Sequence, residues 1–66
     1  MNLTVNGEPH QHEGQGTISE LLRECQADAE RTAVMVNGEV VRRGQFGSVR
    51  LSEGDQVELI MIAAGG

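Results

Sequence analysis

The sequence predicts an α+β fold in which one helix packs on one face of a mixed sheet of four to five strands. Three observations predict it. Two Asn-Gly dipeptides, Asn6-Gly7 and Asn37-Gly38, each separate short apolar-containing runs, and Asn-Gly between such runs is the strongest short hairpin signal. Between the two hairpins lies one segment with helical periodicity. The most apolar run of the chain, Val57-Glu58-Leu59-Ile60-Met61-Ile62, comes after both.

The elements follow in chain order. Leu3-Thr4-Val5 leads into Asn6-Gly7, and residues 8–12 return; Pro9 in that second arm marks an edge strand. Glu13-Gly14-Gln15-Gly16 is a loop. Thr17-Ile18-Ser19-Glu20 reads as a capping box, with Thr17 at the N-cap and Glu20 reaching back. Ile18, Leu21, Leu22 and Cys25 fall at i, i+3, i+4 and i+7, one face of a helix that should end near residues 26–29. Residues 32–36 form a strand that meets Asn37-Gly38, and Glu39-Val40-Val41 returns. Gly44 and Gly47 bracket an irregular segment with Phe46, the one aromatic residue. Val49-Arg50-Leu51 is a candidate short strand, Ser52-Glu53-Gly54-Asp55 a turn, and residues 56–62 the last strand. Two hairpins around one helix make a mixed α+β layout.

Successive side chains of a strand point to opposite faces. Leu3, Val5, Val34, Val36, Val57, Leu59 and Met61 are therefore expected to face the helix. Thr4, Met35, Glu58, Ile60 and Ile62 are expected to face away, where no second helix is available. Met35, Ile60 and Ile62 then form an exposed apolar patch, and a contiguous patch on a small domain marks a partner site. A dimer contact is the rival use of the same patch.

Sixty-six residues make one domain, expected to comprise a folded unit over residues 1–62 and a flexible tail over 63–66. At this size roughly 60% of the unfolded surface is buried, so a deep pocket competes with the core for material. Binding at a surface or a terminus is the better expectation. A single cysteine, Cys25, excludes an internal disulfide and suits a reducing, cytoplasmic setting. No signal peptide or transmembrane run is recognised at the start. Ten acidic and five basic residues give a formal charge of −5, which argues against nucleic-acid and membrane partners.

The chain as given ends in Ala63-Ala64-Gly65-Gly66. Glycine has no Cβ, so a Gly-Gly carboxylate can thread where other residues clash. Four extended residues reach at most roughly 14 Å beyond a fold. A frayed end is the plain alternative. All five basic residues are arginine and none is lysine, so no lysine amine on a sister chain competes for an activated carboxylate. A carboxylate is anionic and a poor electrophile at neutral pH. It needs activation, yet no glycine-rich phosphate loop with a lysine is present. Activation is therefore expected from a partner. Glu53, Asp55 and Glu58, beside the last strand, are candidates to steer docking to a basic groove; a solvated rim is the equal alternative.

Other signals point elsewhere. His10 and His12 face one way, but no third ligand is placed nearby, so no metal site is expected and surface histidines are the default. Cys25 reads as a small core residue, because nothing around it would lower its pKa. Arg42-Arg43 reads as an exposed loop pair. No catalytic set is recognisable, so the chain is not expected to be an enzyme.

Val36-Asn37-Gly38-Glu39-Val40-Val41, then Arg43 with Gln45-Phe46, then Gly54-Asp55-Gln56-Val57-Glu58, ending in Gly65-Gly66, together resemble the ubiquitin-like sulfur-carrier family of thiamine biosynthesis. The resemblance runs over nearly the whole chain. Arg42 stands where that family usually has proline, and Phe46 where it often has tryptophan. The resemblance implies a β-grasp fold. It also implies that an activating enzyme, related to the ubiquitin-activating enzymes, uses ATP and magnesium to adenylate the Gly66 carboxylate. Sulfur relayed from a cysteine desulfurase or another donor would then leave a thiocarboxylate for thiazole synthase. Ala63, Ala64 and Gly65 would thread into the partner, and this chain would bind no cofactor itself. The small subunit of molybdopterin synthase is the nearby alternative. A ubiquitin-type modifier or a non-covalent β-grasp module is the alternative of another class.

Overall fold

The computed structural model describes residues 1–62. Its strands are β1 (Asn2–Val5), β2 (Glu8–Gln11), β3 (Thr32–Val36), β4 (Glu39–Val41) and β5 (Gln56–Met61), and its one α-helix is α1 (Ile18–Glu24). They form a single five-stranded sheet in the order β2-β1-β5-β3-β4. The hairpin pairs are antiparallel, as is β3 with β5, whereas β1 and β5 run parallel. The expected mixed sheet with one helix is thus observed, with β5 in the middle.

Both Asn-Gly turns are tight. Asn6 and Asn37 have φ of 51° and 52°, and Gly7 and Gly38 have φ of 82° and 85°. This double left-handed step matches the twist of the flanking strands. The turns fix register, setting Val5 opposite Glu8 and Val36 opposite Glu39.

Helix α1 begins as its capping box dictates. The Glu20 N–H donates to Thr17 Oγ1, and Glu20 Oε1 accepts from the Thr17 N–H at 3.2 Å. It ends earlier than the apolar spacing suggested. Gln26 takes a left-handed φ of 56°. The Gln26 N–H then donates to Arg23 O and the Ala27 N–H to Leu22 O, at 3.1 and 2.8 Å. That pair of bonds is a Schellman stop, reached here without glycine. Cys25 becomes the C-cap.

The core is Leu3, Ile18, Leu21, Leu22, Val34, Phe46, Leu51 and Val57. It joins one stripe of the helix to one face of β1, β3 and β5. Each such side chain contributes about 1.5–3 kcal/mol when fully buried. Val49-Arg50-Leu51 is not a strand. Arg50 makes one isolated bridge to Thr17, and the Leu51 N–H donates to Gly16 O at 2.7 Å. Leu51 enters the core there, so the segment meets the helix start rather than another strand. The Ser19 N–H donates to Phe46 O at 2.9 Å, which ties the irregular segment to the first turn of α1.

The structure also corrects the reading of the histidines. His12 is buried, not a surface residue. Its Nε2 accepts the Gly16 N–H at 2.9 Å, which puts the ring proton on Nδ1, 2.8 Å from Glu24 Oε1. His10 Nε2 lies 2.9 Å from the same oxygen, and Glu24 Oε2 accepts the Glu13 N–H. Desolvation pushes the Glu24 carboxyl upward. The bonds from His10, the Glu13 N–H and His12 outweigh it and hold its pKa down at about 2. This node locks β2 and the following loop to α1.

Candidate functional site: the open sheet face and the root of the tail

The face of the sheet away from α1 has no covering element among the described residues. Register builds it directly. Met35 pairs with Val40 on one side and with Glu58 on the other, and Ala33 pairs with Ile60. These residues share one face, with Thr4, Gln56 and Pro9 continuing it across β1 and β2. Val40 is 71%, Ile60 49% and Ile62 59% exposed, while Met35 is half-buried. Glu58 is exposed in the centre of this apolar band. The Ile62 N–H donates to Arg31 O at 2.7 Å, so the backbone is held beside β3 up to the last described residue.

The patch expected from strand alternation is therefore assembled as Met35, Ile60 and Ile62, with Glu58 among them. Val40 was missed. A two-residue turn at Asn37-Gly38 already fixes Val40 opposite Met35, and that signal was in the sequence. Glu53 and Asp55 are placed differently. They precede β5, at the end of the sheet remote from Ile62. Glu53 Oε1 accepts the Asn2 N–H at 3.0 Å, and Asp55 accepts from the Ser52 N–H and from Asn37 Nδ2. Both carboxylates are engaged in holding turns. Ala63, Ala64, Gly65 and Gly66 lie outside the described residues.

The helix side carries a second concavity. Met61 points towards the helix side as expected but is 67% exposed. Because α1 stops at Glu24, nothing among the described residues covers Met61, and an open groove of about 370 Å³ remains. Val5, Cys25, Ala27, Leu59 and Met61 form much of its wall, with Asn6 and His10 at its polar side. Cys25 is half-buried there, as a partly core residue. Burial, and then the neighbouring Glu24 charge, pushes its thiol pKa up, away from nucleophilic use.

No group of three or more metal-ligating side chains is assembled among the described residues. No helix among them is long and apolar enough to cross a membrane.

This architecture, with a five-stranded mixed sheet gripping one helix and an open apolar face on the sheet's other side, defines a ubiquitin-like β-grasp domain. The ThiS family model matches residues 3–66. The chain belongs to the ThiS family, the ubiquitin-like sulfur carriers of thiamine biosynthesis. It superposes on the crystal structure of the thiamine biosynthesis protein ThiS from Geobacter metallireducens with a TM-score of 0.82 at 40% identity, over the whole of both chains. The solution structure of a thiamine biosynthesis protein from the same organism gives 0.77 at 40% identity, over all of this chain and 88% of that one. Two curated relatives are thiazole synthases, from Magnetococcus marinus at 41% identity and Paramagnetospirillum magneticum at 32%, each over 66 residues. All of this chain is matched in both, yet it spans only 20% of the length of either.

Proposed function

We propose that this chain carries sulfur on the carboxyl group of Gly66 and delivers it for the thiazole ring of thiamine. The single observation behind the proposal is that the family match extends through Gly65 and Gly66. A carboxylate at neutral pH repels nucleophiles and must first be activated. An adenylating partner supplies that step with ATP and magnesium: the Gly66 carboxylate attacks the α-phosphorus, and pyrophosphate leaves. A persulfide sulfur then attacks the acyl carbon and AMP departs. A thiol of the donor or its partner then attacks the donor sulfur of the resulting acyl disulfide, forming a disulfide with it and leaving the thiocarboxylate. The chain itself is a co-substrate in this scheme rather than a catalyst.

The open face supports the reading. Ile60 and Ile62 adjoin the tail, and Met35 and Val40 widen the patch across three strands. A partner that covers this band lies beside the point where the chain continues into residues 63–66. That a segment similar to all 66 residues lies within chains called thiazole synthase, at 41% and 32% identity, favours thiazole synthase as the acceptor, over the molybdopterin and protein-modifier alternatives. The chemistry requires a free carboxylate on Gly66.

The test is intact mass. Incubation with an activating enzyme, ATP and a sulfur donor should raise the mass by the difference between sulfur and oxygen. Deleting Gly65-Gly66 should abolish the gain. An unchanged mass, with an activating enzyme that converts another family member in the same assay, overturns the proposal.

A further inference from the structure

The two Asn-Gly turns flank β5 on opposite sides, and their side-chain amides do different work. β1 leaves β5 after Val5, which pairs with Val57. Beyond that point β5 would present bare backbone groups on its β1 side. The Asn6 side chain stands in for the missing strand. Its Oδ1 accepts the Leu59 N–H at 2.8 Å and its Nδ2 donates to Leu59 O at 3.2 Å. The Asn6 N–H donates to Val57 O at 2.9 Å. One primary amide thereby imitates a peptide unit and extends the ladder toward the root of residues 63–66.

We propose that Asn6-Gly7 is a self-modification site. Solvent water hydrolyses the Asn6 amide through a cyclic imide, and loss of the amide loosens Leu59 of β5 from the β1 hairpin. The Gly7 nitrogen attacks the Asn6 side-chain carbonyl carbon, an N–C bond closes the imide, and ammonia leaves. Water then opens the ring at either carbonyl, giving aspartate or its β-linked isomer. No oxidant or reductant is needed. Gly7 imposes no side chain on the ring closure, and nothing lies within 4 Å of where its Cβ would be. The Asn6 amide also borders the groove beside Leu59 and Met61, which brings water to it.

The second turn has the same sequence and backbone but a firmer hold. Asn37 Oδ1 accepts the Gln56 N–H at 2.9 Å, Nδ2 donates to the Asp55 carboxylate at 3.0 Å, and the Asn37 N–H donates to Gln56 O at 2.7 Å. A bond to an ionised acceptor is roughly twice as strong as a neutral one. Asn6 donates instead to a neutral carbonyl over a longer distance. Its amide therefore comes free more often, and imide closure needs it free. In the product, a carboxylate still accepts the Leu59 N–H, but Leu59 O faces a second acceptor where it had a donor.

Peptide mapping by mass, on the folded full chain held at mildly alkaline pH, tests the site. Conversion at Asn6 should run several-fold faster than at Asn37, and the two rates should converge in urea. Equal rates in the folded chain, or faster conversion at Asn37, overturn the proposal. Amide hydrogen exchange tests the consequence. Asn6→Asp should speed exchange at Leu59, whose N–H Asn6 Oδ1 accepts, several-fold relative to the unmodified chain, with Val34 unchanged, whereas Asn37→Asp should leave Leu59 alone. Unaltered exchange at Leu59 in a folded Asn6→Asp chain overturns the release.

Discussion

The two faces of the sheet carry comparable side chains and do opposite things. On one, Leu3, Val34 and Val57 are almost wholly removed from water beneath Ile18, Leu21 and Leu22. On the other, Val40, Ile60 and Ile62 remain about half exposed or more. Alternation along β3 and β5 produces both, so a single register decides which valines and isoleucines stabilise and which stay available. The first face accounts for the fold. The second costs the free chain little to change, and under the proposed function it is the surface on which a partner would gain apolar contact.

This contrast predicts a graded set of effects. Leu21→Ala, in the covered face, should lose about 2–5 kcal/mol in urea unfolding, through lost transfer energy and the cavity left behind. A loss under about 1 kcal/mol would mean that α1 can collapse onto the sheet and that the two faces differ less than their burial implies. Glu24→Gln should lose about 1–2 kcal/mol near neutral pH, because charge-assisted bonds from two histidines and a backbone N–H weaken. Its pH profile carries the sign. The folded carboxyl titrates at about 2, below its ordinary 4.5, so its contribution is complete above pH 4.5 and is lost as pH falls toward 2. The variant should lack that acid limb; an unchanged limb would assign it to other carboxylates. Thr17→Ala removes the N-cap and should cost about 1 kcal/mol by thermal or urea unfolding. Ile60→Asp, on the open face, should change stability by no more than about 0.5 kcal/mol. It should nevertheless weaken binding to the activating partner by more than about 1 kcal/mol, as truncation of an interface anchor does. Intact affinity in Ile60→Asp would remove the open face from the proposed function.

Most of the architecture was legible because local rules act at fixed spacings. Asn-Gly set both hairpins, Thr17 and Glu20 set the helix start, and alternation sorted the faces. What stayed hidden depends on contacts distant in sequence. Gln26 ends α1 in a conformation usually left to glycine, so no residue type announced the stop. The consequence was the uncovered Met61 and its groove. His12 was read as exposed because its partners, Glu24 and the Gly16 N–H, converge only once β2 lies against α1. Arg50 met Thr17 rather than a strand because Leu51 was drawn into the core beside Phe46. Of the candidate site, Met35, Ile60, Ile62 and Glu58 followed from parity alone. Glu53 and Asp55 lie beside the last strand as read, but their hydrogen bonds to the Asn2 and Ser52 N–H groups and to Asn37 depend on contacts that only the fold creates.

The central place of β5 has a consequence for biogenesis. Its neighbours β1 and β3 are both made long before it, and until it inserts between them they have nothing to join. Closing the sheet therefore depends on pairings of large sequence separation, which form slowly. A nascent or truncated chain that lacks β5 is left with two separate hairpins. The order of synthesis thus makes closure of the sheet the last step, taken only once the strand that precedes residues 63–66 has been made.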